Sequence, residues 1–123
     1  MTTILLSIKP KFVKEILAGN KVFEFRKQIP VRKVDRMIIY SSYPVCAVVG
    51  EAGISKILSD TPTNIWSATK NYSGIDDGFF FEYFREKSIA YAYKLKNVKK
   101  YASPKKLDEF GLKCAPQSFV YIK

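Results

Sequence analysis

The most constraining pattern in the chain is a two-residue alternation from residue 88 to 101. Ile89, Tyr91, Tyr93 and Leu95 fall at every second position, with Lys94, Lys96 and Lys100 on the alternate ones. A period of two belongs to a long β-strand with one buried and one basic face, so the fold must supply a sheet. Shorter strand-like runs occur at residues 3–8, 21–26, 37–40, 45–58 and 118–122, separated by Pro, Gly, Ser and Asn. Gly50 and Gly53 interrupt the fourth run, as bulges or a sharp bend do. Helical spacing is briefer. Phe12, Val13, Ile16 and Leu17 predict a helix between Pro10 and a Gly19 stop. Asp60-Thr61-Pro62 opens a second helix to about residue 70, with Ile65 and Trp66 on its buried side, and Asp76-Asp77 opens a third carrying Phe79, Phe80, Tyr83 and Phe84. Three consecutive phenylalanines cannot all face inward from one helix, which frees one of Phe79, Phe80 and Phe81 to line a cleft. A short helix over 105–110, stopped by Gly111, precedes the last strand. Strands outnumber helices without a regular βαβ beat, which predicts an α+β fold: a mixed sheet or small β-barrel with flanking helices, one domain over 1–123.

Several classes of function drop out. The sequence contains no histidine, which removes the commonest general base and metal ligand and every Ser/His or Cys/His nucleophile pair. Cys46 and Cys114 lie far apart without zinc or redox spacing and are expected to be reduced packing residues. No motif calls for a metal or a cofactor. No apolar run approaches the ~20 residues of a membrane span, and the first residues lack the pattern of a secretory leader, so the expectation is a cytoplasmic protein without membrane contact.

The charge is +10, and it is unevenly placed. Residues 1–36 hold nine Lys/Arg against three Asp/Glu, residues 37–82 two against five, and residues 83–123 ten against three. If the two basic thirds meet in the fold they form one basic face, as in a phosphate-backbone binder. The chemically unusual segment is Gly19-Asn20-Lys21-Val22-Phe23-Glu24-Phe25-Arg26, with three charges on one short strand. Alternation puts Val22, Glu24 and Arg26 on one face and Lys21, Phe23 and Phe25 on the other, so the charges need partners or a ligand.

Gly19, Lys21, Glu24 and Arg26 fill a GxKxxExR pattern. It lies between Ser7-Ile8-Lys9-Pro10 and Ile16-Leu17-Ala18-Gly19 on one side and Ile38-Ile39-Tyr40-Ser41-Ser42-Tyr43-Pro44, Val49-Gly50 and Ala115-Pro116-Gln117-Ser118-Phe119 on the other. This ordered set, spread over essentially the whole chain, resembles the ASCH family of the PUA-like superfamily. The resemblance implies a PUA-like barrel with flanking helices and a cleft where the motif's Lys, Glu and Arg gather. It also implies RNA binding, with ribonucleases and an acetylcytidine amidohydrolase among the relatives and readers of modified bases in the wider superfamily. Glu24 stands where the amidohydrolase branch has a threonine, while Lys21 is retained.

The leading expectation is therefore an RNA-binding domain that recognises a specific or modified nucleotide in a basic cleft. Its binding residues are Lys9, Lys21, Glu24, Arg26, Ser41, Ser42, Tyr43, Gln117 and Ser118. Arg26 suits a bidentate grip on phosphate or a base edge, Lys21 a phosphate contact or a low-pKa base, Glu24 a base amino group, and Tyr43 stacking. The alternatives are a small hydrolase, ribonuclease or nucleoside amidohydrolase, with Lys21 and Glu24 as catalytic residues, and an adaptor that uses its basic faces on acidic proteins.

Overall fold

A computed structural model describes residues 1–122. The elements run β1 (Thr3–Ile8), α1 (Pro10–Leu17), β2 (Phe23–Arg26), β3 (Arg36–Ser41), β4 (Ala47–Asp60), α2 (Pro62–Thr69), α3 (Asp77–Tyr83), β5 (Ala90–Lys105) and β6 (Phe119–Ile122). Local chemistry sets most boundaries. Pro10 opens α1, Val13 and Ile16 bury its inner face, and Gly19 ends it at φ +86°. Thr61 and Asp76 cap α2 and α3 by accepting from the amides of Asn64 and Phe79. The short helix expected over 105–110 is a single 3-10 turn, Leu107–Phe110, stopped by Gly111 at φ +76°. The long alternating strand extends through Ser103-Pro104 to Lys105.

The six strands form one mixed sheet in the order β2-β5-β4-β3-β1-β6, parallel only between β1 and β3. The basic ends of the chain do meet, β2 pairing with β5 and β1 with β6. β1 is an interior strand, next to the edge strand β6, and is buried on both sides: Ile4, Leu6 and Ile8 pack with Val13 and Ile16 of α1, while Leu5 packs with Ile38, Val48 and Tyr101 beneath the C-terminal segment. A third cluster joins Phe23 and Phe25 to Ile65, Phe80 and Phe84, with Trp66 packed against it.

The expected barrel is not closed by strand pairing: among the described residues β2 and β6 end the strand order and do not pair with each other, so the sheet is open. The sheet nevertheless curls. In a flat sheet β2 would stand four strand spacings, about 19 Å, from β1, yet Arg26 of β2 donates through Nη2 to the Ser7 carbonyl of β1 at 2.9 Å. Register shifts in β4 at Val48/Gly50, Glu51/Gly53 and Ile54/Lys56 provide the bend. Gly50 is required there, because a Cβ would stand 2.5 Å from the Lys99 carbonyl. A side chain rather than a ladder thus spans the gap, and the gap is where a cavity opens.

Candidate functional site

The cavity has a volume of about 540 Å³, within the range of small-molecule sites. Its walls come from the end of β1 (Ser7, Ile8), the start of α1 (Lys9, Phe12), the β2 segment (Lys21, Glu24, Phe25, Arg26), α3 (Phe79, Tyr83), the turn after β3 (Ser42, Tyr43, Cys46) and residues 115–117.

Lys21 is the most deeply placed charge, at 2% exposure. It lies just ahead of β2 rather than within it, pinned by backbone bonds from Lys21 N to the Glu15 carbonyl and from Val22 N to the Tyr72 carbonyl. Its Nζ donates to the Ser73 carbonyl at 2.7 Å and lies 4.7 Å from the Phe25 ring centre and 5.4 Å from that of Phe12. Gly74, at φ +71°, lies against its stem: a Cβ there would stand 2.6 to 2.9 Å from Lys21 Cβ, Cγ and Cδ. Among the described residues no carboxylate approaches Lys21 within 4 Å. Burial pushes the ammonium pKa down to about 8, against the opposing charge of Glu24 and with help from Arg26.

Glu24, 5% exposed, and Arg26 form an unusual ion pair. Arg26 Nε and Nη2 both donate to the single oxygen Oε2, at 3.1 and 2.8 Å, and Nη2 also reaches Ser7. Among the described residues Oε1 accepts from no protein donor. Among the described residues every fully buried side-chain N or O has a partner, so Oε1 is not sealed in, and Glu24 lines the cavity. Tyr83 donates to the Phe25 carbonyl at 3.4 Å, and burial raises its pKa. The site therefore offers an unfilled acceptor, an ammonium with spare donors and aromatic faces close together.

Seven of the expected residues meet at this cavity: Lys9, Lys21, Glu24, Arg26, Ser42, Tyr43 and Gln117. Tyr43 is 84% exposed, at the rim. Ser41 and Ser118 do not line it: Ser41 is buried at the end of β3, and Ser118 is exposed, its carbonyl taking the Ser7 amide. The cysteines are not packing residues. Both are exposed, and Cys46 borders the cavity. Reasoning from sequence missed Phe12, Tyr83 and Gly74. The two aromatics sit at core-like helical spacing, and nothing local distinguishes Gly74 from a loop glycine. Phe79 is the member of the phenylalanine run that reaches the cleft, where it packs edge-on to Phe12 at 5.5 Å.

A family model described as a domain of unknown function, DUF365, matches residues 1–114. The large ribosomal subunit protein uL22 of Ureaplasma parvum serovar 3 is 30% identical over 122 residues, which cover 98% of this chain but 39% of that protein. An ASCH domain-containing ribonuclease of Zymomonas mobilis is 30% identical over 93 residues, 75% of this chain and 63% of the relative. The chain thus spans less than two thirds of the length of either relative. The crystal structure of ASCH from Zymomonas mobilis matches the fold with a TM-score of 0.89 at 27% identity, over 98% of this chain and 87% of that one.

Proposed function

The chain belongs to the DUF365 family and to the ASCH domains, and from that premise we propose that its cavity binds one nucleotide of an RNA chain, specific or modified. The observation that carries this reading is the pairing of Glu24 Oε1, an acceptor without a donor, with the Lys21 ammonium inside an aromatic-walled cavity. A nucleobase presents complementary groups: an exocyclic amine for the carboxylate, a ring nitrogen or carbonyl for the ammonium, and a π-face for Phe12, Phe79 or Tyr83. Arg26 serves mainly to fix Glu24, because Nε and Nη2 are occupied by protein acceptors. The Zymomonas relative's name, ribonuclease, supports an RNA-related role.

Hydrolysis of the bound unit is the second reading, and the Lys21 pKa of about 8 favours it. A lysine that is partly neutral near physiological pH can exchange a proton with a substrate, which an ordinary lysine does poorly. Glu24→Gln separates the two readings. A pure binder keeps most of its affinity for a mononucleotide in equilibrium titration, whereas a hydrolase keeps its substrate and loses turnover. If Lys21 acts as the base, turnover rises with pH up to about 8 and then levels. Unchanged affinity and unchanged turnover in correctly folded Lys21→Ala and Glu24→Gln proteins would remove the cavity from the account.

A further inference from the structure

A second set of charges, none of which lines the cavity, stands on the sheet where β4 pairs with β5. Cross-strand register places Lys56 directly opposite Lys94, Gly53 opposite both Lys96 and Arg36, and Glu51 opposite Lys99. Residues directly opposite share a face, and positions two apart along a strand share it as well, which puts Lys94 beside Lys96 and Glu51 beside Gly53. The Lys96 stem lies across Gly53, where a Cβ would stand 3.1 and 3.2 Å from its Cγ and Cε. Glu51 is the acid of this group, and it is already taken by Arg36 at 2.8 and 3.0 Å and by the Tyr101 hydroxyl at 2.9 Å.

Among the described residues the four lysines have no carboxylate within 4 Å, and all but the half-buried Lys94 are exposed. Like charges directly opposite in a ladder destabilise it, so the Lys56/Lys94 pair opposes folding. Lysines kept only for solubility need no such register. The group covers about 17 Å along β5, by about 10 Å across β3 to β5.

From this register we infer that the β4–β5 face is a second binding surface, a track for the phosphate backbone of RNA that works independently of base recognition in the cavity. Exposed lysines suit phosphates as point charges, with no geometry to satisfy. An acidic protein partner fits less well. Protein interfaces are anchored by aromatic residues, and the exposed aromatics Tyr43, Tyr72 and Phe81 all lie outside these strands, where Val98 is the one large exposed apolar side chain.

The test uses the full chain, a mononucleotide, and a uridine oligonucleotide of about 20 residues titrated over a range of salt concentrations. In the triple variant Lys56→Gln, Lys96→Gln, Lys99→Gln, the slope of log K against log salt for the oligonucleotide should become shallower by about 2, at roughly 0.7 per lost contact. Mononucleotide affinity and the unfolding midpoint should not fall. An unchanged slope, or no oligonucleotide binding by the parent protein at low salt, overturns the track. Polyglutamate competing as well as polyuridine also overturns it, in favour of an acidic protein partner. A parent protein that binds the oligonucleotide with the predicted slope but no mononucleotide upholds the track and refutes the cavity reading, so the two fail separately.

Discussion

The sheet carries two Arg–Glu pairs, one within β2 and one between β3 and β4, and they are finished differently. Arg36 and Glu51 make a two-oxygen fork, Nε to Oε2 and Nη2 to Oε1, and the Tyr101 hydroxyl also donates to Oε1. The Arg36 hydrogen bond holds the Glu51 carboxyl below the usual carboxylate range, against a smaller effect of burial, and burial drives the Tyr101 hydroxyl up to about 12. Both carboxylate oxygens are thus engaged by protein donors. Arg26 and Glu24 are more buried, yet both arginine bonds to Glu24 crowd onto one oxygen, and the other faces a cavity that also holds the Lys21 ammonium, which has no carboxylate within 4 Å among the described residues. The same two residue types thus give a closed structural tie in one place and an open, desolvated acceptor in the other.

The largest expected difference follows from burial. Glu24→Ala strands the Arg26 guanidinium among buried groups and should cost about 3–5 kcal/mol. Glu51→Ala leaves a half-exposed arginine that water can reach, and should cost nearer 1 kcal/mol. Chemical denaturation of both variants checks this, and equal losses would erase the distinction between the pairs.

Lys21 gives the next effect, visible in the pH dependence. Its folded pKa of about 8 lies below the ordinary lysine value of 10.5, so between those values the unfolded chain binds more protons and wild-type stability rises with pH relative to a variant without the group. Lys21→Met should therefore lose about 2 kcal/mol of stability relative to wild type between about pH 8 and 10, at up to about 1.4 kcal/mol per pH unit. A constant difference across that range would mean that Lys21 titrates normally.

The smallest effect compares two glycines of similar φ. Gly111→Ala, with nothing within 4 Å of the new Cβ, should cost only the left-handed backbone penalty of about 1 kcal/mol. Gly74→Ala should cost about twice that and also weaken mononucleotide binding, because its Cβ displaces the Lys21 stem. Equal costs with unchanged binding would show that Gly74 does not position Lys21.

Much of this architecture was legible in the chain because punctuation and periodicity are local. Pro10, Gly19, Thr61, Asp76 and Gly111 act within a turn of themselves, and each marks the boundary its chemistry implies. Lys21, Glu24 and Arg26 stood out because charges on a short strand violate the usual pattern. What escaped depends on distant partners. Whether the ladder closes is decided by how far the bulged β3–β4 and β4–β5 pairs curl the sheet, and no single segment encodes that. Phe12 and Tyr83 carry the same spacing as core residues and differ only in what lies opposite. Ser41 was lost to burial and Ser118 to a backbone role, although both sit beside residues that do reach the cavity.

The open character of the inner pair is tested most directly by following the Lys21 Cε resonance by NMR while a mononucleotide is added. In the free protein Lys21 should titrate near pH 8, its signal should move saturably with nucleotide, and the Lys56 and Lys96 signals should move far less. If Lys21 titrates like an exposed lysine, or keeps its position while the nucleotide binds elsewhere, the cavity is not the binding site.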